Sequence, residues 1–505
     1  MNNEKKVIVL FFPSPWPSQN RGRIPYALLY LERMIRDLGL EIILIDEQVE
    51  KNYSAKILKV KDRLLLAGVS SMTGHQIVGG IKFSKLIKNI SKASVVWGGW
   101  HPTLLPEETL KEPFVDFIIR GQGEMPFREL VECLLENKDY SKISGLGYKT
   151  NGKISVNKKA EFVDIKQFPR INLKLIDLNN YVFKGAYNKR CIGYFSSHGC
   201  PFNCAFCCVA EVFGRRWYNK EISEIIEDLK FLKETAKVDS ITFDDDNFFV
   251  NKNFSLKLCQ EIIASGLDLK WDTSAHPGLF TRVFNDNDLD LFYRAGCRQI
   301  YVGAESGDQE ILDLIDKKSK VEENLRFVEI LNAHNITPLF STMLCFPINP
   351  DRDIELTIDM IRRAKLIDKK LRARLFFYTP YPGTALFDRS VEKGFSPPKK
   401  LEEWAGHTLR KFKAPWSTRD YRWEIEIFSN FYLPLANPEF YKIVPKAFKP
   451  IIFIINKIFY PVVYFRFKHN ALKFPIEAIL FLGSLKIFNK IFKTHFSLGY
   501  ESYLD

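Results

Sequence analysis

The sequence predicts an α/β protein of two parallel-sheet units in series, closed by a mainly helical C-terminal region. Three observations carry the prediction. Continuous apolar runs alternate with helical periodicity over residues 1–145, and the same alternation restarts near 190. After about 390 it gives way to a basic, apolar tail. Uninterrupted apolar runs are the mark of strands buried on both faces, as in parallel sheets covered by helices.

In the first unit the runs are "VIVLFF" (7–12), "EIILID" (41–46), "LLLAGVSS" (64–71), "SVVWGG" (94–99) and "DFIIRG" (116–121). Helical segments are expected near 24–38, 76–91, 104–112 and 125–137. Five strands in βα alternation make a doubly wound, Rossmann-like domain, whose ligands bind beyond the carboxyl ends of the strands. Those ends are "PSPWPS", "SSMTG", "GGWHP" and "RGQGE". Residues 146–185, with short strand-like pieces and "FPRIN", read as a linker.

The second unit spans 186–390. Strands are expected at 191–197, 240–245, 270–276, 299–304, 337–344 and 372–378, with helices near 221–235, 253–265, 287–295, 308–333 and 353–367. Six βα units predict a partial (β/α)6 TIM-like barrel, with its chemistry at the C-terminal strand ends.

Residues 391–505 form the third region. Within 440–496, large apolar side chains mix with Lys442, Lys446, Lys449, Lys457, Arg466, Lys468, Lys473, Lys486, Lys490 and Lys493, and only Glu477 is acidic between 442 and 493. No run reaches the roughly 18 uncharged residues of a spanning helix. Basic, aromatic and apolar residues together predict interfacial helices on an anionic membrane surface; a basic helical cap on the barrel is the alternative.

The 73 Lys+Arg against 60 Asp+Glu give a net charge of +13, which favours anionic partners. No RNA-binding module is recognisable, so nucleic acid is not expected. Nine cysteines occur and four share one loop, a pattern of metal binding in a reducing compartment rather than of a disulfide scaffold. The start, "MNNEKKVIVLFFPSPW", reads as a first buried strand and not as a signal peptide. The expected location is cytoplasmic, with peripheral contact at the inner face of the cell membrane.

The loop "SSHGCPFNCAFCCV" (196–209) carries the chemistry. Cys200, Cys204 and Cys207 form C-x3-C-x2-C. A closed zinc site needs four ligands, usually in two pairs, and no second CxxC pair exists. Three thiolates on one short loop suit a 4Fe-4S cluster with one iron left open; buried thiols or a zinc knuckle using His198 are the other readings. Cys208 is the spare.

This spacing, with Phe206 before the third cysteine at the end of the first barrel strand, resembles the radical S-adenosylmethionine (SAM) superfamily. The resemblance implies that SAM chelates the open iron and that reduction cleaves it to a 5′-deoxyadenosyl radical. It also implies an external electron donor such as flavodoxin or ferredoxin. "ITFDDDNFF" (241–249) is similar to the segment that meets the SAM amino group, which makes Asp244, Asp245 and Asp246 candidates. "YVGAESGDQEILDLIDKK" (301–318) resembles the fourth-strand segment, implying that Glu305 reaches the SAM ribose. "YTPYPGTALFD" (378–388) resembles the sixth-strand ending near the adenine. "MLCFPINPDRD" (343–353) departs from the usual G-x-P-G-E-T turn: Cys345 replaces the first Gly and Ile348 the second. Cys345 is either a reactive thiol facing substrate or a buried small residue.

"GGWHPTLLPEETL" (98–110) and "VDFIIRGQGEMPFREL" (115–130) resemble the cobalamin-binding domain fused ahead of such barrels. The resemblance implies a nucleotide tail approaching Gly98 and Gly99, with hydroxyls from Ser70, Ser71 and Thr73, and His101 as a tail-pocket residue. The D-x-H-x-x-G cobalt-ligand motif is absent. The first unit holds only Cys133 and no cysteine follows Cys345, so one cluster is the economical reading.

The implied reaction is C-methylation of an unactivated carbon of a small-molecule substrate, a lipid or natural product. Oxidative cyclisation or rearrangement without methyl transfer is the alternative. A catalytically degenerate cobalamin- or lipid-binding protein is the alternative of another class. No acid or base can be assigned; His276 and Tyr378, at expected strand ends, are candidates to line the substrate cavity.

Overall fold

The computed structural model describes residues 4–16, 22–185, 189–408, 412–417, 419–442, 444, 448–492 and 498. Part of the loop after the first strand, the start of the second unit at 186–188, and Lys446 and Lys493 of the basic tail lie outside them.

The first sheet has seven strands: β1 (Val7–Phe12), β2 (Glu41–Asp46), β3 (Leu64–Ser70), β4 (Ser94–Gly98), β5 (Phe117–Ile119), β6 (Leu146–Thr150) and β7 (Lys153–Val156), in the order β2-β1-β3-β4-β5-β6-β7. β1 to β5 are parallel. The strand β1 shows why the apolar runs are continuous: Val7, Val9 and Phe11 pack on one side with Phe83, and Ile8 and Leu10 on the other with Leu28 and Phe127. β6 and β7 form a hairpin that adds two antiparallel strands at the edge, within the stretch read as a linker.

Trp97 in β4 is buried against the helix Gln76–Ile90. Its indole donates to Ser84 Oγ (2.9 Å), and a Cβ at Gly80 would meet its ring at 2.7 Å. That fit fixes β4 just before Gly98 and Gly99. The helix expected at 104–112 is two, Trp100–Leu104 and Pro106–Lys111, because Pro106 has no N–H to continue the first.

The second sheet contains β8 (Cys191–Tyr194), β11 (Ser240–Phe243), β12 (Lys270–Ala275), β13 (Cys297–Glu305), β14 (Thr337–Leu344) and β15 (Arg372–Phe377). All are parallel and each pairs with its sequence neighbour in this set, in the order β15-β14-β13-β12-β11-β8. β8 and β15 stand at the two edges, so the barrel is open, as a partial barrel must be. Between β8 and β11 a small antiparallel ribbon, β9 (Ser197–Gly199) with β10 (Trp217–Asn219), closes the base of the cysteine loop.

The C-terminal region returns to the first unit before leaving it. Leu401 and Trp404, in the turn Leu401–Gly406, are buried in the core beside the helix Gln76–Ile90. Helices Arg422–Ile427, Lys449–Lys468 and Ile476–Phe492 follow.

Candidate functional site

The cysteine loop leaves the C-terminal end of β8 and is tied at its middle. Ala205 N donates to Ile315 O (2.8 Å), and Leu386 N donates to Ala205 O (3.0 Å). Cys207 N donates to Cys204 O (2.9 Å), a tight turn that sets the second and third thiols on one short arc. Cys200, Cys204 and Cys207 are half-buried, and Cys208 is buried. Burial raises all four thiols above their ordinary value, Cys208 to about 12. A thiolate at Cys204 further disfavours one at Cys200 or Cys207, so the three are electrostatic neighbours. Lys317 opposes this at Cys200 and Cys204.

Among the described residues no three His, Cys, Asp or Glu side chains converge on a point that would enclose a single metal ion. An iron–sulfur cluster makes a different demand, because each thiolate meets its own iron. A three-thiol arc beside a lysine fits that demand. His198 is not part of the arc: its Nε2 lies 2.8 Å from Tyr30 Oη, and its ring stacks near Phe213 and Phe195.

The three acids after β11 have three different surroundings. Asp245 is buried and accepts from Ser196 N (2.8 Å), Ser196 Oγ (2.5 Å) and Ser197 Oγ (2.6 Å), which pins the turn from β8 to β9. Burial nonetheless lifts its carboxyl to about 6. Asp246 accepts from Gly199 N (2.8 Å), next to Cys200, and keeps an exposed side chain. Asp244 pairs with Arg23 of the first unit (3.2 Å).

Glu305, the last residue of β13, takes a left-handed φ of 57° and is buried with Lys317 (2.9 Å). Burial opposes the Lys317 charge, but Glu305 and the thiol groups of Cys204 and Cys207 outweigh it and hold the ammonium well above its usual range. Lys317 reaches this place because the helix expected at 308–333 breaks into Gln309–Leu314 and Val321–Ala333, with Asp316 and Lys318 in left-handed backbone between them. No periodicity in "DKKSK" marks it in the sequence.

His276 has both ring nitrogens engaged. Leu279 N donates to Nδ1 (3.2 Å), an N-cap of the helix Pro277–Val283, and Nε2 donates to Lys317 O (2.6 Å). The ring stacks on Phe202 of the cysteine loop at 3.9 Å. Burial lowers its pKa to about 3. Its charge is therefore suppressed in the folded chain but not in the unfolded one. The stability this contributes is present above about pH 6.5 and is lost as pH falls toward 3. The variant His276→Asn retains a capping oxygen but not this titration. Wild type should lose stability relative to it by up to about 1.4 kcal/mol per pH unit below 6.5, read by urea melts of the apoprotein at several pH values. A constant gap between the two proteins would contradict the assignment.

Tyr378 is buried, stacked on Phe346 at 5.0 Å, with its hydroxyl 3.2 Å from Ser390 Oγ. Cys345 is buried too and adopts φ 65°, the left-handed backbone that the glycine it replaces would take freely. Asp353 holds that turn: its Oδ2 accepts from Cys345 N (2.8 Å), and its Oδ1 accepts from Ser306 Oγ (2.6 Å) beside Glu305. Trp416 Nε1 donates to Cys345 O (2.9 Å). Burial raises the Cys345 thiol to about 11.

In the first unit, Gly99 has φ 99°, and a Cβ there would meet Ser71 O at 2.8 Å. Ser71 N donates to Gly98 O (2.9 Å) and His101 N donates to Ser71 O (3.0 Å), so the ends of β3 and β4 are laced together. A Cβ at Gly98 meets nothing within 4 Å. Gly98 thus borders open space at the carboxyl edge of the sheet, the cradle a flat ligand needs. Ser70 ends β3 and is half-buried. Thr73 Oγ1 lies 3.0 Å from His101 Nδ1. His101 is wholly buried, its Nε2 has no partner, and burial lowers its pKa to about 3. Trp404, 6.2 Å away between ring centroids, also has an unpartnered Nε1. These orphaned groups and the open glycine edge fit a polar ligand tail.

The two edges face one another. The helix Trp100–Leu104, just after β4, packs on Val209–Phe213, just after Cys208, with Trp100 and Phe213 ring centroids 6.3 Å apart. Tyr26 Oη donates to Gly193 O (3.2 Å), and Tyr181 Oη donates to Asp46 Oδ2 (2.9 Å), which lock the units in this orientation.

Comparison with known proteins agrees with this layout. A family model described as the radical SAM superfamily matches residues 194–361, and one described as a B12 binding domain matches residues 24–131. The chain is 31% identical over 374 residues to an uncharacterized methyltransferase of Pyrococcus horikoshii, covering 73% of this chain and 78% of that protein. It is 27% identical over 376 residues to the anaerobic magnesium-protoporphyrin IX monomethyl ester cyclase of a Synechocystis species, covering 73% of each. Its fold matches the solved radical S-adenosylmethionine methyltransferase TsrM of Kitasatospora setae with cobalamin and a [4Fe-4S] cluster bound, at a TM-score of 0.64 and 17% identity, over 77% of this chain and 78% of that one. The chain belongs to the radical SAM superfamily, in the group that carries a B12-binding domain ahead of the barrel. It is a radical SAM enzyme of the cobalamin-dependent, methyltransferase-like kind.

Proposed function

We propose that the protein methylates an unactivated carbon of a lipid or natural product, with a 4Fe-4S cluster, SAM and cobalamin as its cofactors. The observation that supports this most is the contact between the two units at these edges: the helix that follows Gly98–Gly99 packs on the helix that follows the cysteine arc. When bound, the reduced cluster supplies the electron that cleaves SAM to a 5′-deoxyadenosyl radical, and cobalamin supplies the methyl group.

The chain's own residues place these groups. Cys200, Cys204 and Cys207 take one iron each. Glu305 accepts from the SAM ribose hydroxyls, and Lys317, paired with it at 2.9 Å, holds that side chain in place in a buried site. Asp246 and Asp244 receive the SAM amino group, because Asp245 is fully occupied by its serines. Ser70 and Thr73 bind the cobalamin tail, with Gly98 and Gly99 admitting it and His101 lining its pocket, while Ser71, buried with its Oγ donating to Met72 O (3.1 Å), shapes the edge from behind. His276 positions Phe202 and the Lys317 segment. Tyr378 and Cys345 back the wall as packed groups. An external flavodoxin or ferredoxin supplies electrons.

A second reading is oxidative ring formation without methyl transfer, favoured by the likeness to the magnesium-protoporphyrin cyclase. Anaerobic turnover of reconstituted enzyme with lipid and metabolite extracts, read by mass spectrometry, separates the two. Methylation adds one methyl group to a component of the extract, whereas cyclisation removes hydrogen and adds no carbon.

A further inference from the structure

We propose that the C-terminal helical hairpin is a docking face for an anionic lipid bilayer, on which it lies flat. In the helix Lys449–Lys468, Ile452, Asn456, Val463 and Phe467 are buried and form one stripe against the protein body. Asn456 donates to Asn437 O (2.9 Å), and Arg362 donates to Phe467 O, so that stripe is fastened at both ends. The opposite stripe, Ile451, Ile454, Ile458, Val462 and Phe465, is exposed at i, i+3, i+4 spacing. In Ile476–Phe492, Ala478 and Leu482 are buried, while Ile476, Ile479, Leu480 and Ile487 are exposed. The two helices pack side by side through Phe459 and Phe481 over Phe431.

The turn between them presents Phe474, 83% exposed. Arg466 fixes it there: its guanidinium donates to the carbonyls of Ala471 (2.5 Å), Lys473 (3.1 Å) and Phe474 (3.2 Å) and pairs with Glu477 (2.5 Å). A bulky residue held out in left-handed backbone (φ 53°) by four contacts is an anchor set in place. Contiguous apolar exposure on this scale marks an interaction surface.

Charge selects the occupant. Lys449, Lys457, Lys468, Lys473 and Lys490 lie on the two helices and the turn that carry the apolar stripes, Lys486 pairs with Glu426 (3.3 Å), and Glu477 is neutralised by Arg466. A cationic rim around an apolar face complements acidic headgroups over acyl chains. Lys449–Lys468 is long and apolar enough to cross a membrane by composition, but its buried stripe follows the protein body along its whole length. A helix so fastened lies in the interface and does not cross it.

The proposal rests on this surface alone and is tested without turnover. Full-length protein is floated with vesicles of phosphatidylcholine alone and of phosphatidylcholine mixed equally with phosphatidylglycerol. Flotation with the mixed vesicles, weakened by salt, is expected. The double variant Ile458→Ser, Phe474→Ser changes two exposed side chains and should lower partitioning about tenfold or more at unchanged circular dichroism. Equal flotation of variant and wild type, or none by wild type, overturns the proposal. A dimer in sedimentation that the double variant dissolves, without flotation, assigns the face to a second copy and also overturns it. Retention of the wild type in membranes after alkaline carbonate extraction contradicts the flat orientation.

Discussion

The variant Cys204→Ala, reconstituted anaerobically with iron and sulfide, is expected to hold essentially no iron, against about four irons per chain in wild type. The middle cysteine is the sharpest choice, because it neighbours both other thiols and faces Lys317. Its loss leaves two ligands on a loop that cannot recruit a third. Cys208 is the nearest substitute in sequence, yet it stands at the N-cap of the helix Val209–Phe213 and is buried, whereas the three thiols of the arc are half-buried. Cys208→Ser should therefore keep its iron. Iron analysis and visible absorption of the three proteins decide the matter. Full iron in Cys204→Ala, or its loss in Cys208→Ser, would show that the ligand set has been misassigned.

Replacing Gly98 by Val is expected to leave the fold intact and to empty the first domain of cobalamin. A Cβ at Gly98 meets nothing within 4 Å, and the residue ends a strand, where Val is well tolerated. Apoprotein stability should stay within about 0.5 kcal/mol of wild type. The added isopropyl group enters the space through which the ligand must approach the backbone, so cobalamin retained after growth with hydroxocobalamin should fall at least about tenfold. Gly99→Ala is the contrasting variant. There the backbone is left-handed and the new Cβ meets Ser71 O at 2.8 Å, so the cost falls on the fold, about 1–3 kcal/mol in denaturant melts. Unchanged cobalamin content in Gly98→Val would remove the glycine edge from the binding site.

Much of this was legible in the sequence where a local pattern sets the structure. Strands buried on both faces write themselves as continuous apolar runs, and Val7–Phe12, Leu64–Ser70 and Thr337–Leu344 fall where those runs lie. The cysteine triplet is a motif of spacing and is read from the sequence without the Ile315 and Leu386 contacts that tie its loop. What was not legible depends on distant contacts. Lys317 reaches Glu305 only because two residues break a helix in left-handed backbone. Asp353 looks like an ordinary first-turn acid until the strained Cys345 N–H is found beneath it. Trp404 closes on His101 from 303 positions away in sequence, with no pattern to announce it. The three acids at 244–246 are equivalent on paper; only the serines of the β8–β9 turn single out Asp245. The hairpin β6–β7 has strand-like pieces too short to distinguish an edge addition from a linker.

The cysteine arc and the Glu305–Lys317 pair are proposed to make a site for reductive cleavage of SAM. The most direct measurement is formation of 5′-deoxyadenosine by reconstituted wild-type enzyme given SAM and dithionite, followed by liquid chromatography. Steady formation is expected in wild type and none above background in Cys204→Ala. Deoxyadenosine formed equally by both proteins, or by neither when wild type carries its full iron, would contradict it.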